Sequence, residues 1–276
     1  MVSRGNAEGA VVMEALATVA INGDPATYEG AIASTDREQW LEAIREECSS
    51  IIRNKTFNTA TLERTASGTG SASDSTRSST PIGLKWVFKT KRNPDGTIRY
   101  KVRLVIKGYM QSYWGETYAP VSKLASFRYL ASLAAGFGLA IDHMDVVTAF
   151  LNPKVDDPDL SMEIPEGWDS GDVSESGTGP GIAAGSIVRL NKALYGLKQA
   201  PRLWYKDIDS FLVKSLSFTQ SNADPNLYIF GQGNMRVLLL YVDDMSIAYP
   251  GTAATIAKEI KRRLAEKYKV TNLGTA

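Results

Sequence analysis

The sequence predicts an α+β fold, and three observations carry that prediction. Apolar residues recur at helical spacing over residues 34–54, 127–139, 198–216 and 253–268. Strand-like runs joined by tight-turn residues occupy 84–108 and 235–249. The two kinds of element do not alternate regularly, which argues against a doubly wound parallel sheet.

Each element has its own reason. The first 24 residues are small and weakly patterned, so a flexible N-terminal segment is expected over 1–24. In 34–54, Ser34 or Asp36 can cap, Glu38 lies in the first turn, and Trp40, Ile44, Cys48 and Ile51 make one apolar face. Thr65 to Thr80 holds six Ser and four Thr, too little apolar surface to bury, and reads as an inserted loop. The runs "LKWVFKTKRN" and "IRYKVRLVIKG" flank "NPDG", where Pro94 fixes the first turn position and Gly96 relieves the last, so a hairpin is expected. "IDHMDVVTAFLN" reads as a strand running into a short turn. Residues 169–186 form a loop rich in Gly, Ser and acids, and the helix over 198–216 is entered or kinked near Pro201. "MRVLLLYVDDMSIAY" reads as strand, two-residue turn, strand, with Asp tolerating the turn backbone. The last helix, 253–268, carries Ile256, Ile260 and Leu264 on one face.

Bulk composition narrows the function classes. With 276 residues, 43% of them hydrophobic, the chain can bury a real core in one large domain or two modest ones. One Cys and one His exclude a disulfide framework and a Cys/His zinc site. No apolar run reaches the roughly 18 residues that span a bilayer, and no export signal is visible. A soluble, intracellular protein with no membrane partner is expected.

Two adjacent carboxylates, Asp243 and Asp244, interrupt the apolar run "LLLYVDDMSIAY". Neighbouring charges repel, and burial raises the cost unless a cation intervenes. Oxygen ligands without His or Cys favour Mg²⁺ or Mn²⁺, and Mg²⁺ commonly shares one or two carboxylates with substrate phosphates. The plain alternative is a polar hairpin tip. Asp145, at the end of "IDHMD", adds a third acid, and three such acids can hold two ions that activate a hydroxyl and stabilise a transferring phosphate. A capping or turn aspartate is the alternative there, and Asp142 is assigned to it. Between Lys85 and Lys107 stand eight Lys/Arg against one acid, a ribbon able to grip a triphosphate or follow a nucleic-acid backbone. Ten acids over 142–175 offset it and are expected on an outer loop, so the net charge is only +1.

Together, "YVDD", "MDVVTAFLN" about a hundred residues upstream, "ALYGLKQAPRLWY" between them and "KWVFKTKRNPDGTIRYKVRLVIKGYMQ" ahead resemble the reverse transcriptase domain of copia-type LTR retrotransposons. The likeness runs through "ETYAPVSKLASFRYLASLAA", begins near "TYEGAIASTDREQWLEAIREE" and covers about residues 25 to 274. It implies a right-hand polymerase over 25–276, with fingers about 34–118 and 153–198, a palm about 119–152 and 199–276 built on a ferredoxin-like sheet, and the thumb absent. It further implies an RNA-directed DNA polymerase that adds dNTPs to a primer 3′-hydroxyl. Asp145, Asp243 and Asp244 would be the catalytic acids and would hold two Mg²⁺ or Mn²⁺ ions. Phe150 would lie beneath the sugar and exclude a 2′-hydroxyl. Gln199, Lys89, Lys101 and Arg103 would contact the dNTP, and Lys269 would protonate pyrophosphate.

The implied partners are an RNA/DNA template-primer and the rest of a Pol polyprotein, integrase and RNase H among it. The implied location is a cytoplasmic particle and the nucleus. "SYWGETYAPV" is shorter than the family's spacing, and the Ser/Thr-rich stretch interrupts the fingers. An inactive or truncated nucleic-acid-binding remnant is therefore the alternative, and a metal-dependent nuclease or cyclase a third reading.

Overall fold

A computed structural model describes residues 23–62, 81–93, 95–157, 160–169, 182–231 and 236–275. The Ser/Thr-rich stretch, Pro94 and most of the 1–24 segment and of the 169–186 loop lie outside them. The helices in chain order are α1 (Tyr28–Ile32), α2 (Arg37–Arg53), α3 (Leu124–Phe137), α4 (Ala200–Ser210) and α5 (Ala254–Lys267). The strands are β1 (Phe57–Leu62), β2 (Ile82–Arg92), β3 (Ile98–Ile106), β4 (Ala140–Val146), β5 (Ser161–Glu163), β6 (Ile187–Leu190), β7 (Thr219–Gln220), β8 (Leu227–Phe230), β9 (Arg236–Tyr241), β10 (Asp244–Tyr249) and β11 (Val270–Thr275). Helices and strands are mixed, as expected. The chain divides into two compact units, Met1–Thr117 with Pro153–Ala200, and Tyr118–Asn152 with Pro201–Ala276.

The first unit is built on a five-stranded sheet in the order β1-β6-β5-β2-β3. β2 and β3 form the expected hairpin, with Lys89 opposite Lys101 and Val87 opposite Arg103. Strand alternation therefore gives this ribbon one basic face (Lys85, Lys89, Lys91, Arg99, Lys101, Arg103) and one apolar face (Trp86, Phe88, Val102, Leu104). α2 packs on β3 through the predicted Trp40, Ile44, Cys48 and Ile51, all buried. Trp40 meets Phe88 and Tyr100 edge-on, with centroids 5.4 and 4.7 Å away. Burial pushes the Cys48 thiol up to about 12. We predict that it resists alkylation at neutral pH in the folded chain and reacts on unfolding, a difference that timed thiol titration measures.

Two glycines let the motifs "KGYMQ" and "LYGLKQ" touch backbone to backbone. Gly196 has φ +86°, and a Cβ there would lie 2.3 Å from the Ile106 carbonyl; one on Gly108 would lie 2.1 Å from the Gly196 carbonyl. Ile106 N donates to Tyr195 O at 2.8 Å across this seam. Gly196→Ala combines a left-handed backbone with a backbone clash, so it should cost about 2 kcal/mol or more in denaturant unfolding.

The second unit holds a six-stranded antiparallel sheet, β11-β4-β10-β9-β8-β7. One face packs Met144, Val146, Leu238, Leu240, Met245 and Ile247 against Trp204, Ile208, Ala257, Ile260 and Leu264 of α4 and α5. The other face gathers Val237, Leu239 and Ala248 around Leu130 of α3. α5 departs from expectation in its phase: Ala257 turns inward and Ile256 is exposed. Both 256 and 257 suit the 3.6-residue period with Ile260 and Leu264, and packing on the sheet chooses between them. α3 is apolar as read, yet only Leu130 and Ala134 are buried along it. α4 continues as a π-helical turn over Phe211–Ser215.

Asp142 also departs from its assignment as a capping or turn residue. It lies within β4, is 1% exposed, and accepts from the Tyr249 hydroxyl at 2.9 Å and from the Lys261 ammonium. With Asp145 in the same strand, neither acid belongs to an outer loop. Among the described residues no helix is long and apolar enough to cross a membrane.

Candidate active site

β4 and β10 are register partners, and the pairing sets Asp145 directly opposite Asp244. Residues opposite one another in an antiparallel pair project from the same face, with Cβ atoms about 5 Å apart. Asp145, remote in sequence, therefore meets the "YVDD" hairpin at its tip. The row continues across the sheet, with Thr271 of β11 beside Asp145 and Tyr241 of β9 beside Asp244. Asp243 stands in the two-residue turn between β9 and β10, and its carbonyl accepts from Val146 N at 2.9 Å. That bond ties the turn to the end of β4.

Alternation explains why this end of the face stays open. Even-numbered positions of β4 (Asp142, Met144, Val146) are buried, whereas Ile141, His143 and Asp145 are half-buried. His143, two residues before Asp145, lies with its Nε2 3.5 Å from Asp244 Oδ1 and its Nδ1 3.1 Å from Ser246 Oγ. Burial holds the Asp244 carboxyl above the usual carboxylate range; His143 opposes this and the negative Asp145 adds to it. The acid pair is an electrostatically loaded spot whose excess charge is negative.

The turn itself corrects one expectation. Its left-handed residue is Val242, with φ 57°, and not an aspartate. Val242 O accepts from the indole of Trp204 at 2.6 Å. A second β-branched residue, Thr148, has φ 57° and opens the short 3₁₀ turn Ala149–Leu151 that carries Phe150. Asn152 Nδ2 closes this turn on the carbonyls of Thr148 and Ala149, both at 3.1 Å, and Phe150 is half-buried against the helix-side core. Lys269 precedes β11 with an exposed side chain, and its carbonyl accepts from Val147 N at 2.8 Å. Asp145, Asp243, Asp244, Phe150 and Lys269 thus all belong to the second unit.

The remaining predicted contacts lie in the first unit. Lys89, Lys101 and Arg103 share the basic face of the β2–β3 ribbon. Lys89 pairs with Asp24 at 3.3 Å. Arg103 lies 4.3 Å over the Tyr195 ring and donates to its hydroxyl at 3.1 Å. Gln199 is fully buried: its Oε1 accepts from Gln111 Nε2 at 2.9 Å and its Nε2 donates to Asp156 at 3.3 Å.

Sequence reasoning missed His143 and Trp204 as neighbours of the acids. The i, i+2 spacing to Asp145 could have found the first, whereas nothing local to "RLWY" announces the second. Among the described residues no three or more His, Cys, Asp or Glu side chains form a ready metal cage. The donors present suit a hard cation that keeps waters and takes one or two carboxylates, because the two acids of the pair offer oxygen ligands on one face of the sheet.

The family described as Reverse transcriptase (RNA-dependent DNA polymerase) matches residues 71–276. The retrovirus-related Pol polyprotein from transposon TNT 1-94 of Nicotiana tabacum is 34% identical over 259 residues, covering 92% of this chain and 18% of that protein. Those from transposons RE2 and RE1 of Arabidopsis thaliana are each 31% identical over 258 residues, covering 92% of this chain and 16% of theirs. The chain therefore spans less than a fifth of the length of these relatives. With the family matched over most of the chain and the plant transposon proteins over nearly all of it, the chain belongs to the reverse transcriptase family, in its copia-type retrotransposon form.

Proposed function

We propose that the chain is the polymerising part of a retrotransposon Pol polyprotein, extending a primer with dNTPs on an RNA template. The observation that carries this reading is the register of β4 and β10, which pairs Asp145 with Asp244 and ties Asp243 to the same strand end. The second unit then serves as a palm with a ferredoxin-like sheet, and the first as fingers.

In this reading Asp145, Asp243 and Asp244 would hold Mg²⁺ or Mn²⁺, two ions in all, which would supply a lowered pKa for the attacking hydroxyl and neutralisation of charge on the transferring phosphate. The primer 3′-oxygen attacks the α-phosphorus, the bond to the bridging oxygen breaks, and pyrophosphate leaves. The chain's own residues supply position, which is where most of the catalytic advantage of phosphoryl transfer lies. Phe150, fixed by the Asn152-closed turn, packs against C2′ and rejects a ribose. The basic face with Lys89, Lys101 and Arg103 attracts the triphosphate, Gln199 supports the sugar side from its buried position, and Lys269 gives a proton to pyrophosphate.

Template-primer RNA and DNA, integrase and RNase H are the proposed partners, and a cytoplasmic particle with passage to the nucleus the proposed setting. Primer extension on an RNA template tests the reading: incorporation by the unaltered chain and none by Asp243→Asn is expected, and equal signals from both would overturn it. Salt-sensitive binding to nucleic acid with no extension would instead select the inactive remnant, for which the basic ribbon alone suffices.

A further inference from the structure

We infer that Trp204 is a positioning residue, one that aims the Asp243 carboxylate by holding a strained turn; this rests on the polymerase reading above. Two-residue hairpin turns often need left-handed backbone, and Gly, Asn or Asp ordinarily supplies it. Here valine does so, at φ 57°. A branched Cβ crowds the neighbouring peptide in that conformation, and such strain persists only where the surroundings over-determine it.

Two hydrogen bonds do so, and they bracket Asp243. The peptide before it is held through Val242 O by Trp204 Nε1 at 2.6 Å, and the peptide after it through Asp243 O by Val146 N at 2.9 Å. Because these two planes meet at the Asp243 Cα, together they fix the direction of its Cα–Cβ bond. The indole cannot swing away. Trp204 is 2% exposed and stands edge-on to Tyr268, centroids 5.3 Å apart, and the Tyr268 hydroxyl donates to Asp207 at 2.9 Å. A space-filling role needs only the ring, whereas the observed geometry spends the one polar atom of that ring on the catalytic turn.

The test compares the unaltered chain, Trp204→Phe, Val242→Gly and the double variant. In the unaltered protein the Trp204 indole N–H should exchange with solvent about a hundredfold more slowly than an exposed indole. Trp204→Phe should lower kcat about tenfold with dNTP KM within about twofold, as loss of one bond to a buried carbonyl implies. Mn²⁺ half-saturation, read by paramagnetic broadening without any turnover, should rise about tenfold. Glycine tolerates the left-handed turn unaided, so adding Trp204→Phe to Val242→Gly should cost only about twofold. Fast indole exchange, or the same loss from Trp204→Phe with and without Val242→Gly, would overturn the inference. Should the unaltered chain extend no primer, the polymerase reading fails, and indole exchange with Mn²⁺ titration still decides the role of Trp204.

Discussion

Asp145→Asn is expected to lower primer extension by about a thousandfold or more while leaving the fold intact. The substitution keeps shape and removes one of the paired charges, so the site loses several kcal/mol of transition-state stabilisation at roughly 1.4 kcal/mol per decade of rate. Steady-state extension measures the first part, and thermal unfolding across pH the second. Asp244 binds its proton more tightly folded than unfolded, chiefly through burial, with Asp145 adding to the effect. The native state therefore carries more protons in that window, and this group's contribution makes stability fall as pH rises through the carboxylate range. Asp145→Asn removes one cause of the shift, so the fall should become shallower. A variant that retains most of its activity would contradict the assigned role of Asp145.

Lys261→Met should destabilise the second unit by about 3 kcal/mol, because it strands a buried charge. Asp142 is 1% exposed and the Lys261 side chain 25%, so little water reaches the carboxylate once its cation is gone. The Tyr249 hydroxyl remains as a neutral donor and compensates only in part. Adding Asp142→Asn should recover most of the loss, since an amide carries no charge to solvate. Urea denaturation of the two variants against the unaltered chain separates these outcomes. An equal cost for both variants would mean that the pair is not what the sheet depends on.

The meeting of the candidate acids at one sheet end was legible because strands and carboxylates leave different marks. Apolar residues on both sides of Asp145 and of Asp243–Asp244, in short runs rich in Val and Leu, suit buried strands, and a charge at the end of such a run favours an opening. The β2–β3 hairpin and the buried face of α2 were readable for the same reason, a pattern of period 2 or 3.6 with one apolar side. What escaped depends on contacts between distant segments. Nothing near Asp142 announces Lys261, 119 residues later. Nothing near Gln199 announces that Gln111, 88 residues earlier, donates to its side-chain oxygen. The placing of strain on Val242 rather than on the adjacent aspartate is set by bonds from Trp204 and Val146, which no turn propensity encodes.

β10 lies between β4 and β9, bonded along both of its edges. The Cα positions of Asp145 and Asp244 consequently cannot drift apart to relieve the repulsion, since doing so means unzipping the middle of the sheet. The tension stays in the molecule like that of a drawn bow, held by main-chain bonds and eased in part by the His143 ring 3.5 Å from Asp244. In the polymerase reading, affinity for a cation at this spot would be set in part by the stiffness of a sheet whose bonding atoms never touch it.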